Sequence, residues 1–225
     1  MTKLKGIKAC AFDAYGTLFD IHAPSKRVAS ELGDQAQAIS DLWRAKQLQY
    51  TWLRSLMKAH ADFWQVTGDA LDFALGAHGI DDPKLRERLM GLYLELDAYA
   101  DAAGALRTLK SAGLATALLS NGSPAMLDAA VKASGLGKFL DYSISVEEVG
   151  IYKPDAGVYS LAVQHLGHAA EEICFVSANG WDVCGAAHFG LQVVHLNRFA
   201  HPTERLPGAP KAVIGSLSAL PDLLS

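Results

Sequence analysis

Residues 7–20 read IKACAFDAYGTLFD. The largely apolar run 7–12 (IKACAF) ends on Asp13, with Gly16 and the Thr17 hydroxyl close behind. A short apolar run bounded by turn signals predicts a buried strand. A strand that stops at a carboxylate sets that group at its tip, facing the backbone N–H groups of the following loop. There it is fixed and ionised, as a carboxylate nucleophile must be. Asp-x-x-Gly also caps ordinary turns, so this stretch alone leaves catalysis and turn-capping equally open.

Working outward, residues 20–96 contain no comparable strand. They show helical periodicity instead, with Leu42, Leu48, Trp52 and Leu56 in one stretch and Leu85, Leu89, Leu92 and Leu96 in another. From residue 103 strands and helices alternate. The predicted order is a helix (AGALRTLKSAG), a strand (LATALLS), a helix opening at Ser123-Pro124 and a strand near 141–146. A helix over about 155–167, the strand EICFVSA, a helix over about 181–189 and the strand LQVVHLN follow. Gly113, Gly135, Gly167 and Gly190 each fall just past a helical pattern, where a C′ glycine belongs. Such alternation predicts an α/β fold, a doubly wound parallel sheet with helices on both faces. The helical block is then a cap: residues 1–18 and 97–225 form the core and 19–96 the cap subdomain. HPTERLPGAP (201–210) reads as a surface loop.

Composition narrows the functional classes. At 225 residues the chain holds roughly one and a half domains, which suits one unit with an insertion. Half the residues are hydrophobic, so the chain is globular rather than disordered. Twenty Lys and Arg against 24 Asp and Glu give a net charge of -4, with no basic surplus to hold nucleic acid or an anionic membrane. No apolar run approaches the ~20 residues of a membrane span, and residues 1–16 contain no secretory pattern. Cys10, Cys174 and Cys184 cannot all pair and show no zinc-site spacing, so they read as reduced thiols. A soluble cytoplasmic protein is expected.

Sheets of this kind bind ligands at the carboxyl ends of their strands, and the polar residues fall there. LLSNGSP (118–124) puts Ser120 and Asn121 at a strand end, ahead of a helix start whose free N–H groups suit an anion. In IYKPD (151–155), Lys153 precedes a proline, which keeps its backbone out of the helical region. In FVSANGWDVCG (175–185), Ser177 and Asn179 leave a strand and Asp182 begins a helix, where it could act simply as a cap. Each motif alone has an ordinary structural reading; four in one order on one face point to a site.

In that order these motifs resemble the haloacid dehalogenase superfamily, and more narrowly the L-2-haloacid dehalogenases. FDAYGTLFD, WRAKQLQYTWLRSLM, LSNGSP, YKPD and the SxNxWD pattern of VSANGWD carry the resemblance, which covers essentially the whole chain. Most of the superfamily are Mg²⁺-dependent phosphatases with a second Asp two residues after the nucleophile and two carboxylates in the last motif. Here those places hold Tyr15 and Asn179, with only Asp182 acidic. Mg²⁺ is usually anchored on carboxylates plus phosphate, so this donor set argues against phosphoryl transfer. A halide, by contrast, departs without protonation.

The resemblance therefore implies a cofactor-free, metal-free (S)-2-haloacid dehalogenase acting on a small haloacid. Asp13 would displace halide from C2 with inversion, and water would hydrolyse the resulting ester. Substrate and nucleophile are both carboxylates; at ~4 Å and an effective dielectric near 20 their repulsion is about 4 kcal/mol. Lys153 would offset it, held by Asp182. Ser120 and loop N–H groups would bind the substrate carboxylate. Thr17, Ser177 and Asn179 would orient Asp13 or the water, with Tyr159 in the same shell. Arg44 would accept the halide, with Asn121 nearby, and Tyr15, Leu48, Phe63 and Trp181 would wall the pocket. The family often reads SSN where this chain has Ser177-Ala178-Asn179, a change expected to have little effect. Some relatives take fluoride from fluoroacetate, which asks for a tighter halide pocket. A homodimer through the cap is implied, with the leucine-rich 85–96 helix compatible. The competing readings are an Mg²⁺-dependent phosphatase of the same superfamily and a catalytically idle small-acid binding protein or dimerising scaffold.

Overall fold

The computed structural model describes residues 3–224. Its centre is a six-stranded sheet: β1 (Ala9–Phe12), β2 (Ala115–Ser120), β3 (Tyr142–Ser145), β4 (Ile173–Ser177), β5 (Gln192–Leu196) and β6 (Ala212–Ile214). The order is β3-β2-β1-β4-β5-β6, and every pair is parallel. β1 and β4 are buried along their whole length, which is why each reads as a near-continuous apolar run. The chain builds outward from β1 to β3 and then returns to the other side of β1 with β4. The strand order reverses between β1 and β4, where Asp13 N–H donates to the Val176 carbonyl at 2.9 Å. Ligands of open α/β sheets bind at such a reversal.

Between β1 and β2 lie α1 (Ala23–Arg27), α2 (Ala29–Leu32), α3 (Ala36–Met57), α4 (Phe63–Ala77) and α5 (Pro83–Tyr93), then α6 (Ala102–Ser111) against the sheet. Capping explains two of the helix starts. Asp62 accepts from Gln65 N–H ahead of α4, and Asp82 from Lys84 and Leu85 N–H ahead of α5, with Pro83 in the first turn. The chain enters and leaves this block side by side: Asp20 N–H bonds the Asp97 carbonyl and Tyr99 N–H the Leu18 carbonyl, both at 2.9 Å.

The buried face of α3 differs from the apolar stripe in its sequence. Ile39, Ser40, Trp43, Gln47 and Thr51 face inward, while Leu56 is 80% exposed and Leu42, Leu48 and Trp52 are half-buried. The inward stripe keeps a spacing of four residues, which holds side chains on one face. Three of its members are polar: Ser40 meets His22 and Gln47 meets Thr67, while the Thr51 hydroxyl donates to the Leu48 carbonyl of its own helix. α5 ends at Tyr93, so Leu96 lies beyond it; Leu85, Leu89 and Leu96 are buried and fill the interior.

The remaining helices are α7 (Pro124–Ser134), α8 (Ala156–Leu166), α9 (Gly180–Phe189) and α10 (Leu220–Leu224). Gly135 and Gly167 end α7 and α8 with left-handed backbones, at φ of 67° and 69°. β6 is a three-residue edge strand after the exposed 201–210 loop, too short for a periodic signal. Cys10, Cys174 and Cys184 are free and buried. Among the described residues no helix is long and apolar enough to cross a membrane.

Candidate active site

Asp13 leaves the tip of β1 and is 6% exposed. Its Oδ2 accepts from the Thr17 hydroxyl and from Asn179 Nδ2, both at 2.9 Å, and its Oδ1 faces Lys153 Nζ at 3.1 Å. Lys153 is wholly buried and also donates to Asp182 Oδ2 at 2.9 Å. Its ammonium lies 4.9 Å from the centre of the Phe175 ring on β4. Asp182 sits in the first turn of α9, yet its side chain turns to Lys153 and to the Tyr159 hydroxyl, which donates to Oδ1 at 2.8 Å. Burial weakens the charge on Lys153, but Asp13 and then Asp182 overcome it and hold its pKa above the ordinary lysine value. Burial pushes the Asp182 carboxyl upward against the pull of Lys153. Tyr159 is raised by burial and by Asp182, so it stays a donor.

Asn179 joins the sheet to the helical block. Its Nδ2 donates to Asp13 and to the Tyr15 carbonyl at 3.1 Å, and its Oδ1 accepts from an Arg44 guanidinium nitrogen at 3.2 Å. Arg44, on α3, thereby reaches a hydrogen-bond partner of Asp13. Tyr15 is buried with its ring 5.6 Å from Phe63 and 5.6 Å from Tyr93. Burial, then Tyr93 and Asp13, push its pKa well above the ordinary value. Trp181 stacks edge-on against Trp52 of α3 at 5.4 Å, separately from the Tyr15–Phe63 pair. Leu48 lies one turn beyond Arg44 on the same helix, half-buried.

The other expected residues stand one step back. Ser120 Oγ accepts from Gly122 N–H at 3.1 Å, and Ser177 Oγ from Asn179 N–H at 3.1 Å, so these hydroxyls shape the loops. Asn121 Oδ1 accepts from Lys153 N–H at 3.1 Å, tying the second strand-end loop to the lysine. Position 178 matters through its backbone: Ala178 N–H donates to Thr17 Oγ1 at 2.8 Å, a bond independent of the side chain that replaces the more usual serine. The sequence reading missed Gln47, Thr67 and Tyr93. Gln47 Oε1 accepts from Arg44 at 2.6 Å, and its Nε2 donates to Thr67 Oγ1 at 2.7 Å and to Tyr93 Oη at 3.1 Å. A polar residue three positions after Arg44, on the Ile39–Trp43–Thr51 stripe, is the signal that could have revealed it.

The donor set does not suit Mg²⁺. Asp13 and Asp182 share Lys153, Tyr15 is a buried neutral phenol, and Asn179 presents its amide N–H rather than an oxygen to Asp13. Among the described residues no group of three His, Cys, Asp or Glu side chains is placed to hold a metal ion. The arrangement instead offers a carboxylate backed by a buried cation, with a second cation two hydrogen bonds away through Asn179.

Comparison with known proteins agrees with this geometry. A family model for haloacid dehalogenase-like hydrolases matches residues 7–190. The chain is 49% identical over 220 residues to (S)-2-haloacid dehalogenase 4A of Burkholderia cepacia, covering 97% of this chain and 95% of that one. It is 44% identical over 218 residues to the (S)-2-haloacid dehalogenase of Pseudomonas sp. strain YL, covering 96% and 94%. The structure of L-2-haloacid dehalogenase from Xanthobacter autotrophicus with chloropropionic acid covalently bound superimposes with a TM-score of 0.91 at 37% identity, over 96% of this chain and 98% of that one. By sequence, fold and the layout of its strand-end loops, the chain belongs to the haloacid dehalogenase-like hydrolases and, within them, to the (S)-2-haloacid dehalogenases.

Proposed function

We propose that the protein hydrolyses short (S)-2-haloalkanoic acids to (R)-2-hydroxyacids and halide through an ester on Asp13. The observation that carries this reading is the doubly held Asp13. Lys153 faces one oxygen, while Thr17 and Asn179 donate to the other. The two donors occupy both lone pairs of Oδ2, whereas Oδ1, with Lys153 as its one partner, keeps a lone pair for the attack. Its lone pair forms the C2–O bond from the face opposite the halogen, and the C–halogen electrons leave with the halide. Arg44 stabilises that anion, with Tyr15, Leu48, Phe63 and Trp181 as the apolar wall and Asn121 behind. Ser120 and the N–H groups of its loop hold the substrate carboxylate beside Lys153. Water then adds to the Asp13 carboxyl carbon, guided by Thr17, Ser177 and Asn179; the bond from that carbon to the hydroxyacid oxygen breaks, the hydroxyacid takes one water proton, and the other goes to solvent as the Asp13 carboxylate is regenerated. Asp182 and Tyr159 keep Lys153 in place throughout.

In this reading residues 19–96 act as a cap over a core of 1–18 and 97–225. A homodimer is the working assembly, supported by the exposed Leu53, Leu56 and Met57 at the end of α3. The three free thiols suit a cytoplasmic location. The test is halide release from racemic 2-chloropropionate in excess EDTA. Chloride release is expected to stop at half conversion, unaffected by the chelator. A single turnover in ¹⁸O-water is expected to label Asp13 and leave the first hydroxyacid unlabelled; label in that first product overturns the ester. Fluoroacetate runs alongside as the test of the halide pocket. Phosphate release from p-nitrophenyl phosphate with Mg²⁺, without halide release, would replace this reading with the phosphatase.

A further inference from the structure

We infer that Gln47 is a positioning residue for the leaving-group cation, fixing the Arg44 guanidinium so that its charge faces the scissile bond. This inference rests on the dehalogenase reading above and adds a residue to it.

Gln47 is 1% exposed on the inward stripe of α3, an unusual place for a primary amide unless its partners are specific. The directions of its bonds to Arg44 and Thr67 are determined, while the Tyr93 hydroxyl lies within reach of both ends of the amide. Arginine has only donors, so the oxygen at 2.6 Å from Arg44 must be Oε1. At the far end, the Thr67 hydroxyl donates to the Phe63 carbonyl at 2.6 Å. Its one proton is thereby committed, and Thr67 accepts from Gln47 Nε2 at 2.7 Å. The amide cannot flip without losing both contacts. Tyr93 closes the arrangement, with its hydroxyl 3.1 Å from Nε2 and its ring against both Tyr15 and Trp43. Trp43 is itself pinned by its indole N–H on the Thr67 carbonyl at 2.9 Å.

One guanidinium nitrogen is thus anchored on the helical block, which leaves the other aimed at Asn179. The anchor is also neutral. A glutamate of the same shape would accept the same bond but pair its charge with Arg44, weakening the field available to a departing anion. The position therefore calls for an acceptor that fixes the cation without neutralising it, and an amide meets both requirements.

The test compares wild type with Gln47→Glu and Gln47→Met. It reads single-turnover rates on (S)-2-chloropropionate and (S)-2-bromopropionate, product inhibition by bromide, and thermal melting. Gln47→Glu is expected to slow the chloro substrate by at least about tenfold and the bromo substrate by a smaller factor, because the poorer leaving group leans harder on the cation. Its bromide inhibition constant is expected to rise several-fold; its melting point falls, because the carboxylate oxygen in place of Nε2 no longer donates to Thr67, so the rates are compared below that melting point. A merely structural glutamine would lower both rates by one common factor and leave bromide inhibition unchanged; that result in folded Gln47→Glu overturns the inference. If Gln47→Glu does not fold, Gln47→Met decides in the same way: it supports the inference with a larger loss on chloride than on bromide, and overturns it with an equal loss or none. A wild type that releases no halide at all overturns the parent reading, and this inference with it.

Discussion

Replacing Lys153 with Met keeps an unbranched side chain one atom shorter and removes its charge. Two carboxylates, Asp13 at 6% and Asp182 at 0% exposure, then share a buried space without the cation now 3.1 and 2.9 Å away. Breaking a buried ion pair from one side costs about 3–5 kcal/mol. For a chain of this size that lowers the melting temperature by about 6–20 °C at neutral pH. The pH dependence has a definite sign. Lys153 is raised in the fold by Asp13 and Asp182, so its contribution is complete below the unfolded lysine value and is lost as pH rises through the folded one. On the acid side, protonating Asp182, whose carboxyl burial already pushes upward, removes the repulsion that destabilises the variant. The gap between the two proteins is therefore widest from the carboxylate range up to about pH 10, and narrows on both sides. Calorimetry across that range measures it. Adding Asp182→Asn to Lys153→Met removes one of the stranded charges and is expected to recover part of the stability. Activity should not return, because the repulsion of about 4 kcal/mol between substrate and Asp13 persists and is worth roughly 10³-fold in rate. Equal melting of variant and wild type at neutral pH, or a gap that stays constant on acidification, would refute the reasoning.

Asn179→Asp places a carboxylate where an amide now donates to Asp13 at 2.9 Å, and is expected to cut halide release by about 10²-fold or more, read by steady-state chloride assay. Arg198→Met removes the paired contacts to Asp101 at 2.7 and 2.9 Å and the bond to the Thr17 carbonyl, costing about 2 kcal/mol in thermal melts. Burial raises the Asp101 carboxyl, but Arg198, Ser216 and Leu217 N–H prevail and lower it. Its contribution is thus present above the ordinary aspartate range and lost as pH falls through the folded value, so the variant's acid limb should be flatter than wild type. Gly122→Ala would set a Cβ 2.7 Å from the Tyr15 ring and 2.9 Å from Leu127. Overpacking of that kind costs about 1–3 kcal/mol, and the displaced Tyr15 should lower kcat/KM together with the melting point.

The sheet was readable because its strands are buried on both faces and stop abruptly at polar residues, as IKACAF stops at Asp13 and EICFVSA at Asn179. Those stops are where parallel strands hand their side chains to a site, which marked Asp13; it was the family resemblance of the later loops that grouped Lys153 and Asp182 with it. The helical block was readable only as helix. Periodicity in α3 revealed its pitch, but the face turned inward is decided by what it meets: Gln47 and Thr51 are buried there while Leu56 is 80% exposed. An apolar stripe marks an interior only when the interior is apolar, and around Arg44 it is not. Asp182 illustrates the same limit, since its position fits a helix cap while its side chain serves Lys153 and Tyr159. Three-residue β6 falls below the length at which alternation is informative.

Arg44 lies on α3 and Asp13 just past the end of β1, and among the described residues Asn179 is the single side chain that hydrogen-bonds both. In the proposed reaction the two fragments of the substrate are sorted accordingly. The carbon skeleton stays anchored to the sheet as an ester, and the halide passes into the keeping of the helices.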